Sequence, residues 1–102
     1  MNIAVILLME KFSWKNIQFT KIIKADGRLR EFNFTRHTGL QESVMFSINV
    51  TDNHFQRVYF EMLKENDSWK IQEQQIPSWV KENENNLHLV IEEELNHGSL
   101  VS

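Results

Sequence analysis

The chain contains no cysteine. This absence excludes a disulfide framework, a thiolate zinc site and a cysteine nucleophile. Proline occurs only once, as Pro77, and the three glycines are Gly27, Gly39 and Gly98. Because no two glycines lie close together, a glycine-rich phosphate loop is excluded, and no stretch has the composition of a flexible linker.

Long hydrophobic runs are also missing. The longest uninterrupted apolar stretch, Ile3 to Met9, is far shorter than the roughly 20 residues that a membrane-spanning helix needs. No lysine or arginine precedes it and no small-residue cleavage site follows it, so we expect neither a membrane anchor nor a secretory signal, and a cytoplasmic location. The stretch is expected to form a buried strand or the start of a short helix. Alternatively, Met9 is the true start and residues 1–8 are an extension.

The composition is that of an ordinary globular domain, with 41% hydrophobic and 25% charged residues in a chain of 102. A chain of this length is expected to form one domain with a single core. Its expected parts, in order, are an N-terminal segment 1–14, a β-meander 15–73, a C-terminal helix 78–97 and a tail 98–102.

A β-hairpin is the clearest local prediction. Asp26-Gly27 lies between two runs rich in β-forming residues, and this dipeptide suits a type I′ turn, which needs positive φ at both positions. Pairing outward from the turn sets Ala25 against Arg28, Lys21 against Phe32 and Phe19 against Phe34. One face of the hairpin then carries Ile17, Phe19, Lys21, Ile23, Arg30, Phe32, Phe34 and Arg36.

Three more strands follow from strict alternation of apolar and polar residues. Turn residues separate the strands at 51–54 and 65–68. The inward positions are Val44, Phe46, Ile48, Val50, Val58, Phe60, Met62, Trp69 and Ile71. Because the connections are short, we expect the strands to be sequential antiparallel neighbours.

After Pro77 the period changes to that of a helix. Ser78 is the expected N-cap and Gly98 the expected C-terminal cap, and the asparagine-rich stretch 83–86 is expected to interrupt the helix before it restarts near Asn85 or Asn86. The apolar stripe consists of Val80, Leu87, Ile91 and Leu95, widened by Val90. The predicted fold is therefore α+β, an antiparallel β-meander of four to six strands with the C-terminal helix packed on one face.

No catalytic motif is present, and we expect a protein that is not an enzyme and holds no cofactor or metal. Glu84, His88 and Glu92 share one helix face at a spacing of four residues, an arrangement that could bind a metal or poise a general base. We interpret it instead as a solvated polar face opposite the apolar stripe.

Charge is unevenly distributed: residues 1–51 carry a net +3 and residues 52–102 a net −6. The function we favour is a non-enzymatic protein-interaction or assembly module, whose partner is a second copy or another protein. It would act through a sheet face, a sheet edge or the region of Trp79. The candidate interaction residues are Lys21, Lys24, Arg28, Arg30, Arg36 and Trp79.

Two alternatives stay open. The basic aromatic hairpin 15–36 has the cations and rings that single-stranded nucleic acid binders use, although the net charge of −3 disfavours this partner. A small ligand could instead bind between sheet and helix, lined by Trp14, Trp69 or Trp79. A four-stranded meander followed by one helix resembles PUR-repeat and Whirly-type single-strand binders, but in topology alone, so the resemblance assigns no site.

Overall fold

A computed structural model describes residues 18–39, 43–73 and 75–101, with side chains of the last range described as far as residue 96. The N-terminal segment 1–14, Ile17 and Ser102 lie outside the described residues. The elements are β1 (Gln18–Ala25), β2 (Arg28–Thr38), β3 (Val44–Thr51), β4 (Arg57–Glu65), β5 (Ser68–Ile71), α1 (Ser78–Lys81) and α2 (Glu84–Val101). The five strands form one antiparallel sheet in the order of the chain, which confirms the predicted α+β meander.

The predicted hairpin register is confirmed. Ala25 pairs with Arg28 and Phe19 with Phe34. The turn residues Asp26 and Gly27 have φ angles of 54° and 77°, which are the left-handed values that a type I′ turn requires. The right-handed twist of the two strands favours a type I′ turn. The two-residue turn then fixes the register of the hairpin, and with it the side chains that share each face of the sheet.

The core lies between the inner face of the sheet and the helices, as predicted. Phe32, Phe34 and Phe46 are buried on the sheet side, and Leu87 and Ile91 meet them from α2. Aromatic contacts join β1 to β2 and β3 to β5 on the inner face. Phe19 stacks on Phe34 with ring centroids 4.6 Å apart, and Phe46 meets the edge of Trp69 at 5.1 Å.

The helical region differs from its prediction at both ends. Ser78 is the first residue of α1 and Pro77 the N-cap, with no side-chain capping bond, so the predicted Ser78 cap is wrong. Proline suits the site because its φ of −56° is fixed and it has no N–H to satisfy. Gly98 lies inside α2, which continues to Val101, so the predicted C-terminal cap is also wrong. A single glycine costs a helix only about 1 kcal/mol, and no proline follows to stop it.

The predicted break between the helices is confirmed, but it falls earlier than expected. It covers Glu82 and Asn83, and α2 restarts at Glu84. Asn83 is buried. Its side-chain amide donates to the main-chain carbonyl of Trp79 at 2.7 Å, and its main-chain carbonyl accepts from the Leu87 N–H at 2.9 Å. One asparagine thus satisfies main-chain groups on both sides of the break.

Candidate functional site

Arg30, one of the candidate interaction residues, is buried rather than presented to solvent. Its Nε donates to the Ala25 carbonyl at 3.0 Å and Nη1 donates to the Thr51 carbonyl at 3.1 Å. Nη2 donates to Asn53 Oδ1 at 2.6 Å, and the guanidinium lies 4.5 Å from the centre of the Trp79 ring. Arg30 and Trp79 therefore link the strands to α1; Arg30 is buried and offers no free surface to a partner, whereas Trp79 is half-buried.

The remaining candidates do not form one patch. Lys21 is half-buried on the inner face of β1, whereas Lys24 is exposed on the outer face. Arg28 is exposed at the hairpin end, and Arg36 is half-buried near the opposite end of β2. Strand alternation places Lys24 on the face opposite the other three, and the length of β2 separates Arg28 from Arg36. The hairpin rings are not available to stack on bases either, because Phe32 and Phe34 are buried in the core.

The helix set Glu84, His88 and Glu92 has a structural role that the sequence interpretation missed. His88 Nδ1 accepts a hydrogen bond from the Trp69 main-chain N–H at 3.0 Å, and Glu84 Oε2 accepts one from the Ile71 N–H at 2.9 Å. Glu92 pairs with Lys64 at 3.3 Å. The interpretation as a solvated face is therefore wrong. Within the described residues, no group of three His, Asp or Glu side chains could hold a metal.

The spacing explains how a helix can cover a strand edge. Four residues of a helix rise about 6 Å, and two residues of a strand rise about 6.7 Å. Acceptors four apart on α2 therefore match the N–H groups of Trp69 and Ile71, two apart on β5. The i, i+4 spacing of Glu84 and His88 was the available signal, but it does not reveal which strand the helix lies along.

The other edge of the sheet, β1, is built differently. In a two-residue hairpin the residues that flank the turn exchange main-chain hydrogen bonds, so the groups of Ala25 point toward β2. Alternation then points the main-chain N–H and carbonyl of Thr20, Ile22 and Lys24 away from the sheet. No residue in the described ranges pairs with this edge. Ile22, near its centre, is 63% exposed.

The outer face of the sheet, which α2 does not cover, is polar and internally hydrogen-bonded. Thr20 Oγ1 donates to Asn33 Oδ1 at 2.8 Å, and Asn33 Nδ2 donates to Asn49 Oδ1 at 3.0 Å. Arg57 donates to the same Asn49 oxygen at 2.8 Å. These groups border an open groove of about 640 Å³ that also contacts the exposed Tyr59. These bonds link side chains of β1, β2, β3 and β4 across the outer face.

Comparison with protein-family models, curated proteins and solved structures gives no match for this chain. In the part of the chain that the structure describes, no helix is long and apolar enough to span a bilayer. Geometry alone therefore points to the candidate functional site. It is the β1 edge, which no described side chain or strand caps; the part of β4 from Arg57 to Tyr59 that β5 does not reach is a shorter open edge.

Proposed function

We propose that the protein is a non-enzymatic assembly module that pairs with a second copy of itself through β1. The observation that supports this is the difference between the two edges of the sheet. The β5 edge is covered by Glu84 and His88 of α2, whereas the β1 edge has outward main-chain groups and the exposed Ile22. An uncovered strand edge is a template for pairing with another strand.

The residues of β1 select one register for this pairing. Two antiparallel registers use nearly the whole strand and keep the inner faces of the two sheets together. The register centred on Lys21 sets two lysines opposite each other, which is unfavourable. The register centred on Ile22 sets Ile22 against its own copy, Lys24 against Thr20, and Lys21 against Ile23. Ile22 then exchanges both of its outward main-chain hydrogen bonds with Ile22 of the second copy.

This pairing closes after two copies. It uses the same patch on both chains about a two-fold axis, so β1 is consumed in the dimer. The outer strands of the resulting sheet are the two β5 strands, each covered by its own α2, and only the short stretch of β4 from Arg57 to Tyr59 lies beyond the reach of β5. A dimer rather than a growing fibre is therefore the expected product.

A charge exchange at position 22 tests both the dimer and its register. Ile22→Lys and Ile22→Glu each place like charges opposite each other, so each variant alone should be monomeric in size-exclusion chromatography with light scattering. An equimolar mixture should recover the dimer, because the opposite charges now meet across the axis. Ile22→Thr keeps a β-branched, uncharged side chain at the same site and should remain dimeric, which makes it the matched control.

A proline tests the main-chain pairing separately from the side chain. Ile22→Pro removes an N–H that faces away from the sheet, which edge strands tolerate, and should give a folded monomer by circular dichroism. Ile23→Pro removes an N–H that bonds to β2 and should unfold the hairpin instead. A wild-type chain that is monomeric up to high micromolar concentration would overturn the proposal. Retention of that monomer on oligonucleotides, fading steeply with salt, would favour the nucleic acid alternative.

A further inference from the structure

A cleft lies at one end of the sheet, between the ends of β2 to β5 and the later turns of α2. It has a volume of about 500 Å³, within the range of small-molecule sites. Its apolar lining comes from Val44, Leu63, Trp69 and Leu95, and Arg36 lines it as well. We infer that this cleft binds a small organic carboxylate with an apolar body, held by the N–H groups of Arg36 and Trp69.

Two unsatisfied donors support this inference. Arg36 Nε and Trp69 Nε1 are both buried and have no hydrogen-bond partner, and Trp69 as a whole is 3% exposed. Buried N–H groups are almost always paired, because leaving one unpaired forfeits its bonds to water without replacement. Both residues line the cleft, and Phe46 lies beside both, since it pairs with Arg36 across the sheet and contacts the Trp69 ring. Because both N–H groups are fully shielded, a ligand binds them as the two side chains turn toward the cleft.

The positive charge of Arg36 is the part of the lining that suits an anionic ligand. At the rim, Lys64 pairs with Glu92 at 3.3 Å, whereas Glu65 accepts a hydrogen bond from the neutral Gln72 amide at 2.9 Å and keeps its negative charge, so we place the carboxylate of the ligand at Arg36 and away from Glu65. Among the described residues Arg36 pairs with no carboxylate, and its Nε is shielded from water. A carboxylate matches the planar guanidinium and can accept from an indole N–H, and the apolar lining suits an aliphatic or aromatic body.

The site is independent of the proposed assembly. No residue of β1 lines the cleft, and the charge and proline variants at Ile22 leave its lining unchanged. Failure of the dimer test therefore says nothing against the ligand site, and failure of the ligand test says nothing against the dimer.

Nuclear magnetic resonance of the indole groups provides the direct test. The Trp69 indole N–H signal, assigned through its own side-chain correlations, should shift saturably on titration with octanoate. Octanol has the same chain without the charge and acetate has the charge without the chain, so each should bind at least about tenfold more weakly. The absence of any shift with millimolar octanoate, or an equal shift with octanol, would overturn the inference.

A matched pair of arginine variants tests the charge. Arg36→Gln should weaken octanoate binding by about tenfold to a hundredfold, the usual loss for a charge-assisted hydrogen bond. Arg28→Gln removes an exposed arginine of the same strand that does not line the cleft, and should bind octanoate like the wild type. Unchanged binding by folded Arg36→Gln, judged from its amide spectrum, would contradict the assignment of Arg36 as the anion ligand.

Discussion

At the scale of single residues, two buried polar side chains, Arg30 and Asn83, hydrogen-bond main-chain groups from different parts of the fold. Arg30 satisfies the carbonyls of Ala25 and Thr51 and lies against Trp79, while Asn83 satisfies main-chain groups at the helix break. Alternation predicts that Arg30 faces inward, but periodicity does not reveal that carbonyls and an aromatic ring surround it there. A cation on the inner face was therefore misread as surface charge.

Replacing Arg30 should destabilise the protein strongly. Arg30→Met keeps the length and apolar contacts of the side chain but leaves the two carbonyls without their donors. We expect the free energy of unfolding to fall by about 2–4 kcal/mol, measured by urea denaturation. Arg28→Met, two residues away and exposed, should change it by less than about 0.5 kcal/mol. A loss no larger than that of the Arg28 control would contradict the internal role of Arg30.

Asp52 should make the protein less stable toward unfolding as the pH falls into the acid range. Its carboxylate accepts hydrogen bonds from the main-chain N–H groups of Gln56 at 2.9 Å and His54 at 2.8 Å, and the bond from Gln56 is the largest cause that lowers its pKa. A pKa lowered on folding means that the stabilisation is present at neutral pH and is lost as pH falls through the native pKa, below about pH 4.

Thermal unfolding of Asp52→Asn against wild type checks this. The wild type should be the more stable at pH 7, and the difference should shrink toward pH 3, because only the aspartate loses its charge. Asp67→Asn, at an exposed side chain of another turn, is the comparison variant for the change of charge alone. A difference for Asp52→Asn that stays constant between pH 7 and pH 3 would count against the pKa shift.

At the scale of elements, α2 acts both as the lid of the core and as the cover of a strand edge. Its apolar stripe buries Leu87 and Ile91, and its neighbouring face brings Glu84 and His88 to the main chain of β5. The main chain of the short strand β5 is therefore hydrogen-bonded on both sides, to the main chain of β4 and to side chains of α2. This is one of the ways in which proteins protect an edge from unwanted pairing.

Removing the edge cover should weaken β5 without disturbing the core. Glu84→Ala and His88→Ala should each lower the free energy of unfolding by about 1 kcal/mol, because each leaves a part-buried N–H without its acceptor. Amide hydrogen exchange should then speed up at Ile71 and Trp69 respectively. Glu82→Ala, at an exposed side chain between the helices, is the matched control. Equal exchange rates in all three variants would mean that the helix does not cover the edge.

At the scale of the whole molecule, the two edges of the sheet differ. The β5 edge is covered by α2, whereas no described residue covers the β1 edge, and the dimer that we propose would pair through β1 and stop at two copies. The cleft between the far strand ends and α2 lies away from that interface, and binding and pairing can therefore be separated by mutation. Each copy of a dimer would carry its own complete cleft.

The sequence alone predicted the strands, their antiparallel order and the register of the first hairpin, but not the helix caps or the position of the break between the helices. Alternation with a period of two, the Asp26-Gly27 turn and the apolar stripe of α2 are local signals, and each constrains residues close in the chain. The sequence alone did not predict which groups hydrogen-bond the buried polar side chains. The edge cover by His88, the network of Arg30 and the unpaired donors of the cleft join residues distant in sequence. Only the packed tertiary structure sets those distances, because it fixes the direction of α2 across the sheet.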